Sequence, residues 1–282
     1  METRVKVYAK INLSLAVTGK KGEFHSLDTV MASIDLANEI SLTKRNDYNL
    51  SVRFSNLDLG EKSNAYKSCK LLMEKSGCKG ADVVISQAIP SGGGLGGSSA
   101  DSAGVIRAMQ KAYGISDEIA NEVAVSIGSD VAYMLKGGVA RLKGTHDELQ
   151  FFDINVNDEI LICGKGEVNT GECFKRFDDG GKSDENIDND SLIACLKSGD
   201  IINASQYFIN DLQRSACLIC PFIQEILTVM SDCGLRAVMT GSGAYVFATG
   251  KKEALKKAND LLCEKGFVPL VVKLRNNGIE FL

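Results

Sequence analysis

The segment best suited to chemistry is a glycine-rich loop at residues 90–100, with the sequence Pro-Ser-Gly-Gly-Gly-Leu-Gly-Gly-Ser-Ser-Ala. An alternating apolar segment, residues 82–86, precedes it and predicts a strand, and a helical pattern that ends at Gly114 follows it. Glycines let the backbone approach a ligand closely, and the first N–H groups of a helix favour negative charge. The order strand, loop and helix therefore predicts a polyphosphate site, with Ser98 or Ser99 either capping the helix or contacting the ligand. A flexible connector is the alternative interpretation.

The loop does not match the phosphate loop of P-loop nucleotidases, because it lacks a Gly-Lys-Ser/Thr ending. Gly92, Gly94 and Gly97 do satisfy the G-x-G-x-x-G pattern of dinucleotide-binding proteins. That pattern requires an acidic residue roughly 20 residues further on, after a second parallel strand. Asp117 and Glu118 stand near this spacing but open another predicted helix, which makes the dinucleotide interpretation weak.

Two charged residues elsewhere in the chain are candidates for adding chemistry to this loop. Lys10 projects with Asn12 and Ser14 from the polar face of a predicted strand, where a solvated strand face is the default interpretation from the sequence alone. Asp130 is the only charge in an apolar run, residues 129–135. The local sequence leaves two roles open for it, a helix N-cap or a catalytic carboxylate.

The composition limits the classes of protein to which the chain can belong. Of its 282 residues 44% are hydrophobic, which is ample for a core. The net charge of −4 gives no support to non-specific nucleic-acid binding. The longest uncharged run, residues 83–100, is half glycine and serine and cannot span a membrane. Nine scattered cysteines fit reduced thiols, and the lack of a signal-peptide pattern after Met1 predicts a cytoplasmic protein. Two histidines exclude a histidine-rich metal site.

The elements that must position these residues follow from hydrophobic periodicity and from turn and cap residues. The first part of the chain predicts an antiparallel sheet with helices, with strands at 5–15, 27–36, 40–43, 50–54 and 139–142, a turn at 19–23, and helices at 64–76 and 117–127. Ser116 caps the second of these helices and Gly128 ends it.

Beyond about residue 155 the pattern changes. It predicts strands at 160–163, 235–239, 245–249 and 268–274, helices at 171–176, 191–196, 204–214, 221–233 and 251–264, and a polar loop at 178–185. Leaving the extra helices aside, the order is β-α-β-β-α-β, the split βαβ or ferredoxin-like plan. We therefore expect an α+β protein with two domains, residues 1–155 and 156–282. A second glycine turn, residues 240–243, is placed to face the first glycine loop.

The glycine-bearing segments, in their order, resemble the GHMP kinases. The family's P-x-x-x-G-L-G-x-S-S loop is matched from Pro90 to Ser99, and its late G-S-G turn by Gly241-Ser242-Gly243. Five further segments resemble one branch of that family: Ala9-Lys10-Ile11-Asn12-Leu13, Phe24-His25 with Leu27-Asp28-Thr29-Val30-Met31, Gly128-Ser129-Asp130-Val131, Asn210-Asp211-Leu212 and Met239-Thr240-Gly241-Ser242-Gly243. The resemblance spans the whole chain. It implies a two-domain fold with an N-terminal ribosomal-protein-S5-like domain and a C-terminal ferredoxin-like domain.

In that branch, the resemblance implies an ATP-dependent kinase of isoprenoid biosynthesis that phosphorylates the 2-hydroxyl of a cytidine-diphosphate sugar alcohol. Asp130 would be the general base and Lys10 its partner, a pairing that suits phosphoryl transfer because the lysine keeps the carboxylate ionised. Mg²⁺ would bridge the phosphates, with its protein ligands unassigned. The implied ATP site comprises Asn64 and the loop residues Pro90, Ser91, Gly92, Gly93, Gly94, Leu95, Gly96, Gly97, Ser98, Ser99 and Ala100.

The implied substrate site comprises Asn12, Phe24, His25, Thr170 and Phe174. An aromatic pair such as Phe24 and Phe174 can sandwich a flat base, at about 1–3 kcal/mol per stacked base. Ordinary turn packing is the interpretation of Phe24 and His25 without the family context. Phe24 replaces the family's tyrosine at this position, which keeps stacking but loses a hydroxyl.

Two other hypotheses remain at this stage. The chain can be a GHMP kinase for a different small alcohol, such as mevalonate or homoserine, or a catalytically silent relative that binds a nucleotide. A retained Lys10 and Asp130 argue against the silent relative. We expect a small-molecule substrate, no nucleic-acid or membrane partner, and a monomer or a weak homodimer.

Overall fold

The computed structural model describes residues 2–22, 24–55, 60–145, 148–155, 158–180 and 187–282. Two long antiparallel strands, β1 (Glu2–Lys21) and β2 (Phe24–Lys44), form its central hairpin. The alternating residues predicted as a strand lie within β1. The two strands predicted at 27–36 and 40–43 form one continuous strand instead, because β2 follows β1 over its whole length through local register shifts. Glu23, in the predicted turn, lies outside the described residues.

The hairpin is extended by β3 (Ser51–Phe54), β4 (Ala81–Ser86), β5 (Val139–Gly144) and β6 (Glu148–Phe152). Both β4 and β5 pair antiparallel with β2, and β6 pairs with β5. The sequence predicted that the strand at 50–54 extends an antiparallel sheet, but β3 pairs in parallel with β4. A helix connects them, as a parallel pair requires. The strand β6 has no counterpart in the predicted elements.

The described residues of this N-terminal part form the α-helices α1 (Asn64–Ser76), α2 (Gly97–Tyr113), α3 (Asp117–Ile127) and α4 (Ser129–Met134). The predicted helix at 64–76 is confirmed, and so is the cap of α3, whose residue Ile119 donates its N–H to the hydroxyl of Ser116. Gly114 ends α2 in the left-handed conformation, as expected. Helix α2 packs directly on β1 and β2 and buries one common core with them.

The C-terminal part contains β7 (Glu159–Gly164), β9 (Arg236–Met239), β10 (Tyr245–Thr249) and β11 (Leu270–Arg275). Their spatial order is β11-β7-β10-β9, and every neighbouring pair is antiparallel. This is the predicted split βαβ arrangement. The helices of this part are α5 (Thr170–Asp178), α6 (Asn189–Lys197), α7 (Ile201–Ala204), α8 (Gln213–Ile219), α9 (Phe222–Asp232) and α10 (Lys252–Glu264).

Three predictions for the C-terminal part are wrong. The helix predicted at 204–214 is interrupted by β8 (Ile209–Asn210), which pairs in parallel with β1. The strand predicted to close the chain is followed by β12 (Ile279–Phe281), which pairs with β1 as well. Asp178, assigned to a polar loop, is the last residue of α5, and residues 181–186 of that loop lie outside the described residues.

The two parts share one twelve-stranded sheet, in which β11 pairs with both β2 and β7. The division at residue 155 therefore stays a prediction. Among the described residues, no helix is both long enough and apolar enough to cross a membrane.

Candidate active site

A cleft of about 400 Å³ opens where the N-terminal and C-terminal parts meet. The glycine loop, the N-terminus of α2, the middle of β1 and the second glycine turn contribute to its walls. Most of the predicted site residues line it: Lys10, Asn12, Asn64, Pro90, Ser91, Gly92, Gly93, Gly94, Gly96, Gly97, Ser98, Ser99, Asp130, Thr170 and Phe174. The fold thus brings side chains from distant parts of the sequence into one site.

The glycine loop has a backbone that only glycine adopts readily. Gly92, Gly94 and Gly96 have φ values of 65°, 75° and 74°. A Cβ on Gly94 would lie 2.1 Å from the carbonyl oxygen of Thr240, and one on Gly96 would lie 2.4 Å from the side chain of Met134. The loop is therefore a tightly packed cradle and not a flexible connector.

The first turn of α2 differs from one detail of the prediction. Gly96 is its N-cap residue, so neither Ser98 nor Ser99 caps the helix, and both lie within its first turn. The Asn64 side-chain amide donates to the Ser98 hydroxyl at 3.3 Å. Both serines line the cleft, where their hydroxyls and the orphan N–H groups of the turn suit a phosphate.

Two of the predicted cofactor residues point away from the cleft. The side chains of Leu95 and Ala100 are fully buried in the core. The backbone N–H of Ala100 donates to the Gly96 carbonyl, and the Leu95 carbonyl accepts from the backbone of Lys10. The side chains of these two residues shape the loop from behind and offer the cleft no polar group.

The second glycine turn packs against the first loop, as the sequence predicted. Tyr245 donates its backbone N–H to the Gly93 carbonyl at 3.1 Å, and the Thr240 hydroxyl donates to the Gly94 carbonyl at 3.3 Å. Asn210 supports the turn from the other side, because its amide donates to the carbonyls of Met239 and Gly241 at 2.7 and 2.8 Å. These contacts explain why Asn210 leaves the predicted helix.

The polar face of β1 is buried, which overturns the interpretation of a solvated strand face. Lys10, Asn12 and Ser14 are 4%, 3% and 0% exposed. They are buried because the second glycine turn and α6 cover this face: Thr240 contacts Asn12, and Asn189 accepts a hydrogen bond from the Ser14 hydroxyl. A buried ammonium needs partners, and the Lys10 Nζ lies 2.6 Å from Asn12 Oδ1 and 3.5 Å from Asp130 Oδ2.

Asp130 is the second residue of α4, whose N-cap residue is Gly128, so the N-cap role does not apply. The start of this short helix turns the carboxylate towards Lys10, and about a third of its side chain is exposed in the cleft. The pair therefore combines a buried cation with a carboxylate that a ligand can reach.

The other end of the cleft is formed by α5. The hydroxyl groups of Thr170 and Ser242 are 2.8 Å apart, which joins α5 to the second glycine turn. Phe174 stacks on His25 with a centroid distance of 4.5 Å. His25 in turn contacts Asp178 through Nε2 at 2.7 Å, and Lys20 pairs with the same carboxylate.

Phe24 does not flank a common space with Phe174. Its side chain is 67% exposed, and neither Phe24 nor His25 lines the cleft directly. The reason is strand geometry, since successive side chains of β2 point to opposite faces and only His25 faces α5. The expected sandwich of Phe24 and Phe174 is therefore absent from this conformation.

Sequence reasoning gave no role to several polar residues of the site. Asp101 lines the cleft near Asn64, and burial raises the pKa of its carboxyl to about 6, while hydrogen bonds from Asn38 and Gln87 limit the rise. Asn38 also accepts from the backbone of Ala88 and holds the entry to the glycine loop. No sequence pattern marks Asp101 as buried. Thr29 and Thr240, by contrast, stand inside two of the segments that resemble the family, residues 27–31 and 239–243.

The arrangement suits a nucleoside triphosphate better than a metal centre of its own. No group of three histidine, cysteine or acidic residues is arranged to hold a metal in the part of the chain that the structure describes. Mg²⁺ bound to phosphates needs only one or two carboxylates from a protein. Asp130 lines the cleft with about a third of its side chain exposed, so the residues present fit a metal that arrives with a nucleotide.

A glycine cradle, a lysine–carboxylate pair and a cleft between two α+β parts define a small-molecule kinase. Comparison with family models agrees: residues 63–139 match the GHMP kinases N terminal domain and residues 192–266 match the GHMP kinases C terminal model. The chain belongs to the GHMP kinase family.

Two relatives within the family indicate which kind of GHMP kinase the chain is similar to. The 4-diphosphocytidyl-2-C-methyl-D-erythritol kinase of Caldanaerobacter subterraneus subsp. tengcongensis is 31% identical over 291 aligned positions that cover all of both chains. The enzyme of the same name from Cutibacterium acnes is 33% identical over 86% of this chain and 84% of its own.

Solved structures show the same fold. A crystal structure of 4-(cytidine 5'-diphospho)-2C-methyl-D-erythritol kinase superposes with a TM-score of 0.79, at 23% identity, over 97% of this chain and 99% of its own. Homoserine kinase from Cytophaga hutchinsonii gives a TM-score of 0.75 at 17% identity, over 100% of this chain and 97% of its own.

Proposed function

We propose that the chain is an ATP-dependent kinase that phosphorylates the 2-hydroxyl of 4-diphosphocytidyl-2-C-methyl-D-erythritol, a step of non-mevalonate isoprenoid biosynthesis. The observation that carries the proposal is the position of Lys10 and Asp130, 3.5 Å apart in the cleft that the glycine loop lines. The full-length similarity to enzymes of that name supports the substrate.

Asp130 is the proposed general base. Phosphoryl transfer requires positioning and charge stabilisation more than covalent chemistry, and a carboxylate near the acceptor hydroxyl takes its proton as the new bond forms. Lys10 supplies the neighbouring positive charge. Its buried ammonium lies 3.5 Å from the carboxylate and stabilises negative charge that develops on the transferred group.

The glycine loop is the proposed phosphate site, and Asn64 lies at its edge on α1. Ser98 and Ser99 offer hydroxyls beside the first N–H groups of α2, which suit a triphosphate. Mg²⁺, when bound with ATP, neutralises phosphate charge. Asp130, whose side chain is about a third exposed in the cleft, is the carboxylate that would contact such a metal or its water shell.

Thr170, Phe174 and His25 form the proposed acceptor end, together with Asn12. The stack of His25 on Phe174 offers a flat aromatic surface for a base. Phe24 lies next to His25 at the start of β2, with its side chain exposed. We also propose a cytoplasmic location and a monomer or weak homodimer.

The proposed function is tested by incubating the purified protein with ATP, Mg²⁺ and one acceptor at a time and measuring ADP release. We expect ADP release with 4-diphosphocytidyl-2-C-methyl-D-erythritol and none above background with mevalonate or homoserine. Asp130→Asn should lower kcat by about 100-fold or more, since a general base contributes 10²–10⁴. Turnover of mevalonate or homoserine alone would reject the substrate, and turnover that survives Asp130→Asn would reject the base.

A further inference from the structure

The orientation of the Asn12 side chain decides where the Lys10 ammonium lies. Lys10 Nζ donates to Asn12 Oδ1 at 2.6 Å, and Lys10 is almost completely buried. An amide presents an acceptor at one end and two donors at the other, although the two ends have nearly the same shape. If the amide turned over, its NH₂ group would face the ammonium, and the 2.6 Å hydrogen bond of Lys10 would be lost.

Thr29 fixes that orientation through the direction of its own hydrogen bond. Its hydroxyl donates to the Ser14 carbonyl at 2.6 Å, which commits its single hydrogen. The oxygen of Thr29 is then an acceptor only, and Asn12 Nδ2 donates to it at 2.8 Å. The donor direction therefore runs without a break from Lys10 to Asn12, and from Asn12 through Thr29 to the backbone of β1.

A second contact at the amide agrees with the same orientation. The Thr240 hydroxyl oxygen accepts a hydrogen bond from the backbone N–H of Asn12 at 2.9 Å. The same hydroxyl donates a longer hydrogen bond, 3.4 Å, to Asn12 Oδ1. That hydroxyl is shared with the Gly94 carbonyl, so it constrains the amide less than Thr29 does. Thr29 is 1% exposed, and no competing solvent reaches its hydrogen bond freely.

We propose that Thr29 is a positioning residue for Lys10, acting through the amide of Asn12, an inference that rests on the proposed function. Asn12 then serves the lysine as well as the cleft that it lines. Thr29 is among the residues that line the cleft, and its hydroxyl bonds to Asn12 and to the Ser14 carbonyl. Its contribution is the placement of one buried positive charge.

Thr29→Val tests the proposal because valine keeps the shape of threonine and removes the acceptor. We expect kcat to fall by about 10- to 100-fold, since a misplaced catalytic group costs that much, while KM for ATP and for the acceptor stays within about twofold. Thr29→Ser restores the hydroxyl and should recover most of the lost kcat. The matched control is Thr249→Val, which removes another buried threonine hydroxyl, in β10, where it donates to the Glu159 carbonyl.

A crystal structure of the Thr29→Val protein provides a readout that does not depend on turnover. We expect Lys10 Nζ to leave hydrogen-bond distance of Asn12 Oδ1 in this variant and to keep it in Thr29→Ser. An unmoved Lys10, or a kcat equal to that of the Thr249→Val control, would overturn the positioning role. Absence of turnover in the wild-type protein would instead overturn the proposed function, and the position of Lys10 in the crystal would still decide the role of Thr29.

Discussion

Substitution of three glycines by alanine separates backbone strain from the contact that holds the two glycine turns together. Gly77, Gly241 and Gly94 all have positive φ, at 70°, 57° and 75°. An added Cβ would meet nothing within 4 Å at Gly77, would lie 3.0 Å from the Gly94 carbonyl oxygen at Gly241, and 2.1 Å from the Thr240 carbonyl oxygen at Gly94. All three alanine variants therefore share the backbone strain of a positive φ. The steric clash of the added Cβ increases from Gly77 to Gly241 to Gly94.

The magnitudes follow from this series. The left-handed conformation costs an alanine about 1–2 kcal/mol, which is the whole loss of folding free energy expected for Gly77→Ala. Overpacking adds about 1–3 kcal/mol, so Gly94→Ala should lose about 2–5 kcal/mol, with Gly241→Ala in between. Ordinary contact begins at 3.4 Å, so the Thr240 carbonyl and Gly94 would have to separate by about 1.3 Å. That shift opens the phosphate cradle.

The assay measures urea unfolding and KM for ATP in the three variants. We expect KM for ATP to rise at least about tenfold in Gly94→Ala, which corresponds to about 1.4 kcal/mol of lost binding. Gly77→Ala should leave it unchanged, because the C-cap of α1 is remote from the cleft. Equal losses of stability for Gly77→Ala and Gly94→Ala, with an unchanged KM in both, would refute the reasoning that the two turns hold the loop in shape.

Two further predictions concern polar contacts at either side of the cleft. Asp178→Asn should raise KM for the acceptor by about 2- to 10-fold and leave KM for ATP unchanged. The reason is that it weakens a contact worth about 0.5–1.5 kcal/mol that holds His25 against Phe174. Steady-state kinetics measure both KM values, and an equal rise in the two would contradict the prediction. Burial opposes ionisation of Asp28, but hydrogen bonds from Arg141 and Asn189 outweigh it and lower the pKa of its carboxyl below 3.8. Its stabilisation is therefore present above about pH 5 and is lost as the pH falls through the folded-state pKa, so unfolding between pH 7 and pH 3 should show a shallower loss in Asp28→Asn than in wild type. An identical pH dependence of the two proteins would contradict this prediction.

The helices and most strands could be predicted because their signals are local. A run such as residues 64–76 carries its own apolar face and its own stop at Gly77, and the structure reproduces both and adds a cap at Ser63. The prediction failed at 204–214 for the opposite reason. There Asn210 binds the carbonyls of Met239 and Gly241, and β8 pairs with β1, so contacts from far along the chain outweigh local helical periodicity.

The candidate site was predicted as a set of residues but not as a geometry. The resemblance placed Lys10 and Asp130 in one site, and the fold brings them to 3.5 Å, although their catalytic roles stay predictions. The resemblance placed His25 and Phe174 in one substrate site, but it did not predict that their rings stack or that His25 pairs with Asp178, a contact between the β1–β2 hairpin and a helix more than a hundred residues away. Whether Phe24 or His25 faces α5 depends on the register of β2. A shift of one residue in that register would move each side chain to the opposite face of the sheet.

The buried polar face of β1 shows why the default interpretation of that strand was wrong. Alternation tells which side chains share a face, but burial depends on what covers the face, and here the cover comes from the other end of the chain. Lys10, Asn12 and Ser14 would be costly to bury alone, so each must meet a partner. Thr240 reaches Asn12 from the second glycine turn, and Asn189 reaches Ser14 from α6. The charge of Lys10 is held by Asn12 and Asp130 of the N-terminal part, and the hydrogen bonds from Thr240 and Asn189 join the C-terminal part to the same strand of the candidate active site.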